Sequence, residues 1–171
     1  MRKLLIFALF LCSNLCAQDL VSLHKESGVT APTFFDKSHY KGNEYNTFGI
    51  TEIGIQKTSC FGHCPAFMLK IKTDGTVYYE GYGFVDKLGQ HNGKLKRYQL
   101  ENILAYINEI DFMDMQDIYS IDITDEPSVY TMVKTQSQQK IIKNYANTGP
   151  MTLWALEQLM TQLLNEVKWS D

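Results

Sequence analysis

From residue 50 onward, hydrophobic and polar positions fall into two periods. Ile53, Ile55 and Lys57 alternate with Glu52, Gly54 and Gln56, the pattern of a half-buried strand. Phe67, Leu69 and Ile71 then alternate with Met68, Lys70 and Lys72, and Asp74-Gly75 marks a hairpin into a returning strand, Thr76 to Tyr82. A two-residue loop would set Leu69 opposite Glu80. A three-residue loop, Thr73-Asp74-Gly75 with Gly75 left-handed, sets Ile71 opposite Val77 and Leu69 opposite Tyr79, and keeps one face apolar. The three-residue form is therefore expected. A weaker, glycine-rich strand is expected over 88–95, at an edge or in a long loop.

The period changes at Tyr98. Leu100, Ile103, Leu104 and Ile107 recur at helical spacing up to about Glu109. After an acidic stretch from Asp111 to Glu126, Val129, Thr131 and Val133 alternate again. Lys140 to Tyr145 mirrors them across Gln136-Ser137-Gln138, a hairpin whose turn lacks glycine. The last element is a helix. Thr148-Gly149 is placed to cap it, Pro150 suits its first position, and Leu153, Leu156, Leu159, Met160, Leu163, Leu164 and Val167 form its apolar stripe. The expected fold class is α+β: an antiparallel sheet built from hairpins, with two helices, about 98–110 and 150–167, packed on one face.

The start of the chain changes the picture of where this domain works. Residues 1–17 read as an export signal: Arg2 and Lys3 lead, Leu4 to Leu11 form an apolar stretch, and Leu15-Cys16-Ala17 ends on a small residue. That apolar run is much shorter than the roughly 20 residues of a membrane span. Leucine precedes both Cys12 and Cys16, whereas a small residue usually precedes a lipidated cysteine, so a lipid anchor is disfavoured. The expectation is an exported protein, periplasmic or extracellular, with an irregular arm over 18–48 and one domain over 49–171. Removing Arg2 and Lys3 from 16 basic residues against 19 acidic ones moves the formal net charge from −3 to about −5. Such a balance argues against a nucleic-acid partner.

Of four cysteines, Cys60 and Cys64 remain after the signal. On an extended strand they would sit roughly 13 Å apart, while a disulfide needs its Cα atoms within about 7 Å. A bridge therefore requires Phe61-Gly62-His63 to fold back into a tight turn. In an oxidising compartment the disulfide is the default fate of such a pair. Closing so short a loop stabilises by only roughly 2 kcal/mol, so the bridge shapes a corner more than it holds the fold. The alternative is a metal clip or a redox pair, with His63 or His91 as the nitrogen ligand beside two thiolates, a set that suits copper. Cys60-x-x-x-Cys64-Pro65 also looks like the copper site of thioredoxin-fold proteins that help assemble respiratory oxidases. There a helix follows the motif; here a strand does.

The run Cys60-Phe61-Gly62-His63-Cys64-Pro65-Ala66-Phe67, with Asp74-Gly75-Thr76-Val77, Tyr79 and Gly81 after it, resembles a domain family of unknown function in exported bacterial proteins. The signature of that family is Cys-aromatic-Gly-x-Cys-Pro-x-aromatic, then an Asp-Gly hairpin and Tyr-x-Gly. The likeness extends through Asp125-Glu126-Pro127 and Pro150 to Trp169, about residues 49–169, and the composition looks like proteins of the Bacteroidota. Position 67 carries Phe where the signature commonly has Tyr, so no hydroxyl acts there. The resemblance implies a fold and a compartment, and no activity.

Other candidates are weaker. The acids from Asp111 to Glu126 lack calcium-loop spacing and read as a solvated loop. No Gly-x-Ser-x-Gly elbow occurs. Phe61, His63, Tyr79 and Tyr82 are the candidate binding residues on an aromatic surface. The leading expectation is a non-enzymatic module without a cofactor, binding a protein, peptide or envelope ligand, with Cys60–Cys64 as a structural bridge. The alternative is a copper-binding or thiol-redox protein acting through Cys60, Cys64 and His63.

Overall fold

The computed structural model describes residues 46–170. The expected export signal and nearly all of the arm, with Phe34, Phe35, Tyr40 and Tyr45, lie outside the described residues. Among the described residues, eight strands and two helices make an α+β domain. In chain order they are β1 (Ile50–Lys57), β2 (Ala66–Lys72), β3 (Thr76–Gly83), β4 (Gly89–Lys94), α1 (Arg97–Glu109), β5 (Ile118–Tyr119), β6 (Ser128–Thr135), β7 (Gln139–Tyr145), α2 (Met151–Gln162) and β8 (Lys168–Ser170). Short 3-10 turns follow each helix, at Phe112–Asp114 and Leu163–Glu166. The strands lie in the order β5-β7-β6-β1-β2-β3-β4-β8. All pairings are antiparallel except β5 with β7.

The pleat sorts the sheet into two sides. Ile53 and Ile55 of β1 lie opposite Ile71 and Leu69 of β2 on one flank, and opposite Val133 and Thr131 of β6 on the other. Val77 and Tyr79 continue that row into β3. The apolar members of this row share one buried cluster with Leu100, Ile103, Leu104 and Ile107 of α1 and with Leu153, Leu156 and Met160 of α2, and Thr131 is buried beside them. The β2–β3 register is the one expected from a three-residue loop, Leu69 opposite Tyr79 and Ile71 opposite Val77. Gly75 adopts φ 87°, and Asp74 Oδ1 accepts the Thr76 amide at 2.7 Å. Glycine proves dispensable in the β6–β7 turn. There the Thr135 hydroxyl accepts the amides of Ser137 and Gln138, at 3.3 and 3.1 Å, and braces the turn from within.

Several expectations need correction. The glycine-rich strand is not the sheet edge, because β8 pairs beyond it through Asn92–Ser170, Gly93–Trp169 and Lys94–Lys168. The acidic stretch contains β5, which pairs alongside β7. Pro150 precedes the first helical residue rather than occupying it, at φ −61° and ψ 153°. The Thr148 hydroxyl donates back to the Tyr145 carbonyl at 2.9 Å and caps nothing. The apolar stripe of α2 is also displaced. Leu159 is 40% exposed, while Glu157 is fully buried.

Gly75 is the glycine on which the hairpin turns. Its amide donates to the Lys72 carbonyl and its carbonyl accepts the Leu95 amide, at 2.8 and 2.9 Å. A Cβ there would drive into the Leu95 carbonyl oxygen while the backbone is held left-handed. Gly75→Ala is expected to lower stability in urea unfolding by about 2 kcal/mol or more. A loss under about 0.5 kcal/mol, the range of neutral surface changes, would show that this junction yields freely.

Candidate functional site

The end of the sheet where β1 leaves and β2 begins carries most of the singular chemistry. The Thr58 amide donates to the Ser128 carbonyl at 3.0 Å, and the Ser128 amide to the Thr58 hydroxyl at 2.9 Å, fixing the exit of β1 against β6. The chain then doubles back through Phe61-Gly62-His63. Cys60 and Cys64 are joined by a disulfide, with Cα atoms 5.6 Å apart, and the Gly62 amide points at Cys60 Sγ, 3.2 Å away. Phe61 stands out from the tip, 91% exposed. His63 is also exposed and meets Phe84 edge-on, ring centroids 4.8 Å apart.

Phe84 opens the loop between β3 and β4. It holds φ 52°, a left-handed backbone uncommon for a residue with a side chain. The loop folds back across Gly81, where a Cβ would collide with the Lys87 carbonyl oxygen and come within 2.8 Å of the Val85 side chain. The Tyr79 hydroxyl donates to that same Lys87 carbonyl at 3.2 Å. Burial first, then the nearby Asp86 carboxylate, raises the Tyr79 phenol above its ordinary pKa, so it stays a neutral donor.

Between this loop and the C-terminal half of α2 lies a cleft of about 470 Å³. Pro65, Phe67, Tyr79 and Trp169 form its apolar side, with Phe84 and Val85 at the loop wall. The Phe67 and Tyr79 rings are 5.8 Å apart, and the Tyr79 and Trp169 rings 5.5 Å. Lys87 places its ammonium 5.6 Å from the centre of the Trp169 ring, within range of a cation–π contact. Gln158, Gln162 and Asn165 line the opposite side.

The structure thus divides the four candidate binding residues. His63 braces the loop wall, Tyr79 lies in the cleft floor, and Phe61 projects from the corner. Tyr82 belongs to the other side of the sheet, where its hydroxyl and that of Tyr78 reach Glu80 Oε2 at 3.4 and 3.3 Å. The odd spacing of Tyr79 and Tyr82 along one strand already implies this separation. His91 is held in the aromatic row, 6.1 Å from the Trp169 ring, with Nε2 2.9 Å from the Leu88 carbonyl. The described residues contain no group of three or more His, Cys, Asp or Glu side chains placed to hold a metal ion. With both sulfurs in the bridge, the corner presents no thiolate for copper.

Sequence reasoning missed a buried polar cluster behind Phe67. Glu157 projects from α2 onto the sheet. Asn144 Nδ2 donates to both its oxygens, at 3.2 and 3.1 Å, and the Thr131 hydroxyl to Oε1 at 3.4 Å. Asn144 is fixed in turn, its Oδ1 accepting the Gly149 amide at 2.9 Å. Burial pushes the Glu157 carboxyl up to about 7, although the Asn144 and Thr131 hydrogen bonds and the Lys57 charge pull it back. Burial likewise lowers the Lys57 ammonium, which Glu157 partly restores. Lys57 also lies 5.9 Å from the centre of the Phe67 ring, so its ammonium backs onto the cleft floor. An acid at i+4 from Leu153 and i+1 from Leu156 offered the one available signal: it interrupts the buried stripe.

A family model described as a domain of unknown function, DUF6438, matches residues 51–164. The chain belongs to this family. No curated protein matches it. The DUF6438 stretch contains the disulfide corner, the loop wall and Gln158 and Gln162 of the cleft; Asn165 and Trp169 fall past its end.

Two measurements test this arrangement. Intact mass of protein purified from an oxidising compartment, with and without alkylation, is expected to show Cys60 and Cys64 fully bridged; alkylated thiols in the native protein would reopen the copper reading. The second concerns Glu157. Its folded pKa lies above its unfolded value, so between about pH 4.5 and 7 the folded state holds a proton that the unfolded state has lost. Its contribution to stability is therefore greatest below the unfolded pKa, and falls by up to about 3 kcal/mol as pH rises through that window. Relative to the parent, Glu157→Gln is expected to gain about 2–3 kcal/mol on going from pH 5 to pH 8. An unchanged difference at the two pH values would mean that Glu157 is already ionised in the fold at pH 5.

Proposed function

We propose that this DUF6438 protein is an exported, non-enzymatic binding module that takes its ligand in the cleft beside the disulfide corner. The observation that carries this reading is the division of the cleft into an aromatic side and an amide side. Gln158, Gln162 and Asn165 line the cleft with side-chain amides that can donate and accept. An apolar pocket with a few convergent polar groups is the usual form of a small-molecule site. Asp86 and Lys87 contribute one charge of each sign, so the lining favours a neutral ligand with one apolar face and several hydroxyl or amide groups. Aromatic rings supply contact area at little entropic cost, and planar amides offer both donors and acceptors.

In this reading Cys60–Cys64 is structural. It turns the chain so that Pro65 and Phe67 enter β2 at the cleft, and it holds His63 against Phe84. The aromatic row and amide side present rings and amides rather than the opposed carboxylates of a glycosidase, which supports binding over turnover. Among the described residues no helix is long and apolar enough to cross a membrane.

The test is a thermal-shift screen of the chain from Gln18 onward against neutral oligosaccharides and short uncharged peptides, followed by titration of Trp169 fluorescence in a Trp154→Phe background. At least one class is expected to bind and to perturb Trp169. Gln158→Ala with Gln162→Ala, both on the helix surface, is expected to weaken binding about tenfold or more without lowering the melting temperature. Absence of binding from both classes, or binding indifferent to these changes and to Trp169→Phe, would refute the cleft as the site.

A further inference from the structure

The disulfide corner lies open to solvent. Cys60 and Cys64 are half-buried, and Phe61, Gly62, His63 and Pro65 around them are exposed. None of these residues belongs to the buried cluster. The two sulfurs are not equivalent. The Gly62 amide donates to Cys60 Sγ at 3.2 Å, and a donated hydrogen stabilises negative charge on the atom that accepts it. Cys64 is followed by Pro65, which has no amide hydrogen. In thiol–disulfide exchange the sulfur that better carries charge is the better leaving group. Cys60 is therefore the sulfur that leaves, and Cys64 the one that is attacked.

We propose that Cys60–Cys64 is an exchange site for a protein dithiol of the Cys-x-x-Cys kind, and that opening the bridge loosens the wall of the cleft. A thiolate of the dithiol attacks Cys64 Sγ. A mixed disulfide forms, the Cys60–Cys64 bond breaks, and its electron pair leaves on Cys60 Sγ, which takes a proton from water. The second thiolate of the dithiol then attacks its own protein's sulfur in the mixed bond and expels Cys64 Sγ, which is protonated in turn. Two electrons and two protons pass to the corner, and the dithiol ends as a disulfide. Phe61, 91% exposed at the tip, offers the incoming protein an apolar contact beside the reacting sulfur.

The effect on the cleft runs through contacts already described. The bridge holds the Cα atoms of Cys60 and Cys64 5.6 Å apart, against the roughly 13 Å that an open segment of that length can reach. Opening it frees His63 from its place against Phe84. Phe84 begins the loop wall at φ 52°, a backbone conformation that persists in a residue with a side chain only where its neighbours hold it. Val85 and Lys87 follow it along the cleft. The far end of the loop stays fastened by the Tyr79 hydroxyl on the Lys87 carbonyl. The wall therefore loosens at its Phe84 end while the core keeps the fold, and the bridged chain is the form that binds. This control rests on the cleft being the ligand site; the exchange chemistry does not.

The test separates the two. The chain from Gln18 onward is mixed with a thioredoxin-type dithiol protein whose second cysteine is replaced by serine, which traps the mixed disulfide. Peptide mass is expected to find the trap on Cys64 about tenfold or more over Cys60. Gly62→Pro, which deletes the amide hydrogen, is expected to erase that preference; Gly62→Ala, whose Cβ would lie 3.7 Å from Cys60 Sγ, is expected to keep it. Amide hydrogen exchange is then compared in the bridged chain, the chain reduced by the intact dithiol protein, and Cys60→Ser with Cys64→Ser, with circular dichroism confirming that each is folded. Exchange over 85–88 is expected to quicken about tenfold or more in both open forms, and the ligand from the thermal-shift screen to bind both about tenfold more weakly or worse. A bridge that the dithiol protein leaves intact, a trap on Cys60, loss of the fold on reduction, or a loop and ligand indifferent to the bridge would each overturn the proposal. A loop that loosens in a chain that binds nothing in either state would uphold the exchange site and remove the binding reading instead.

Discussion

The alternation of the β2–β3 hairpin is the constraint from which the other features descend. A slip of one residue between these strands would exchange Leu69 and Ile71 for Lys70 and Lys72 on the buried side. The three-residue turn at Thr73-Asp74-Gly75 prevents that slip, and β1 reads the same register from the other flank of β2. Once it holds, Phe67 and Tyr79 must face the helices, Tyr78 and Tyr82 must face away, and Gly81 must come beneath the loop that returns to β4. The cleft is thus a consequence of that register, on the helix side of the sheet.

The Glu157 cluster illustrates how a buried polar group can cost stability and still set geometry. A carboxyl without water is stabilised in its neutral form, and its three hydrogen bonds recover only part of the hydration it loses. In exchange, the position of α2 is tied by directional bonds to Thr131 on β6 and Asn144 on β7, where apolar packing alone would tolerate rotation. Helical geometry does the rest. At 3.6 residues per turn, a helix with Leu153, Glu157 and Met160 against the sheet turns Gln158, Thr161 and Gln162 to the adjoining stripe, and these are cleft residues.

The elements legible in the sequence were those whose own pattern determines them. Alternation over 67–72 and 76–82, a loop whose length decides which residues meet, and the spacing of Leu100 to Ile107 needed no distant partner. The illegible ones depend on tertiary pairing. Two residues of β5 and three of β8 are too short to carry a period, and they become strands because β7 and β4 present open edges to them. The cleft was legible only in fragments. Cys60, His63, Pro65, Phe67 and Tyr79 stand out along the chain, but Gln158, Gln162 and Asn165 look like any solvated helix surface until the loop over Gly81 brings a wall to face them. Leu159 misled for the opposite reason: its spacing fits the apolar stripe, and only the placement of Glu157 toward the sheet shows that the buried arc is rotated.

The corner also shows why a short disulfide can matter more for shape than for stability. Its five-residue loop removes little entropy from the unfolded chain, yet it reverses direction between β1 and β2 and leaves the Phe61–His63 segment with few conformations. His63 then reaches Phe84, and Phe84, held at its left-handed φ, starts the loop that Tyr79 pins through Lys87. Reduction would release the first link in that series while leaving the core cluster intact, because none of Cys60, Phe61, His63 or Cys64 belongs to it. The bridge is therefore coupled to the cleft wall and largely uncoupled from global folding, an arrangement suited to a preorganised binding site, in which rigidity of the rim lowers the ordering cost of taking a ligand.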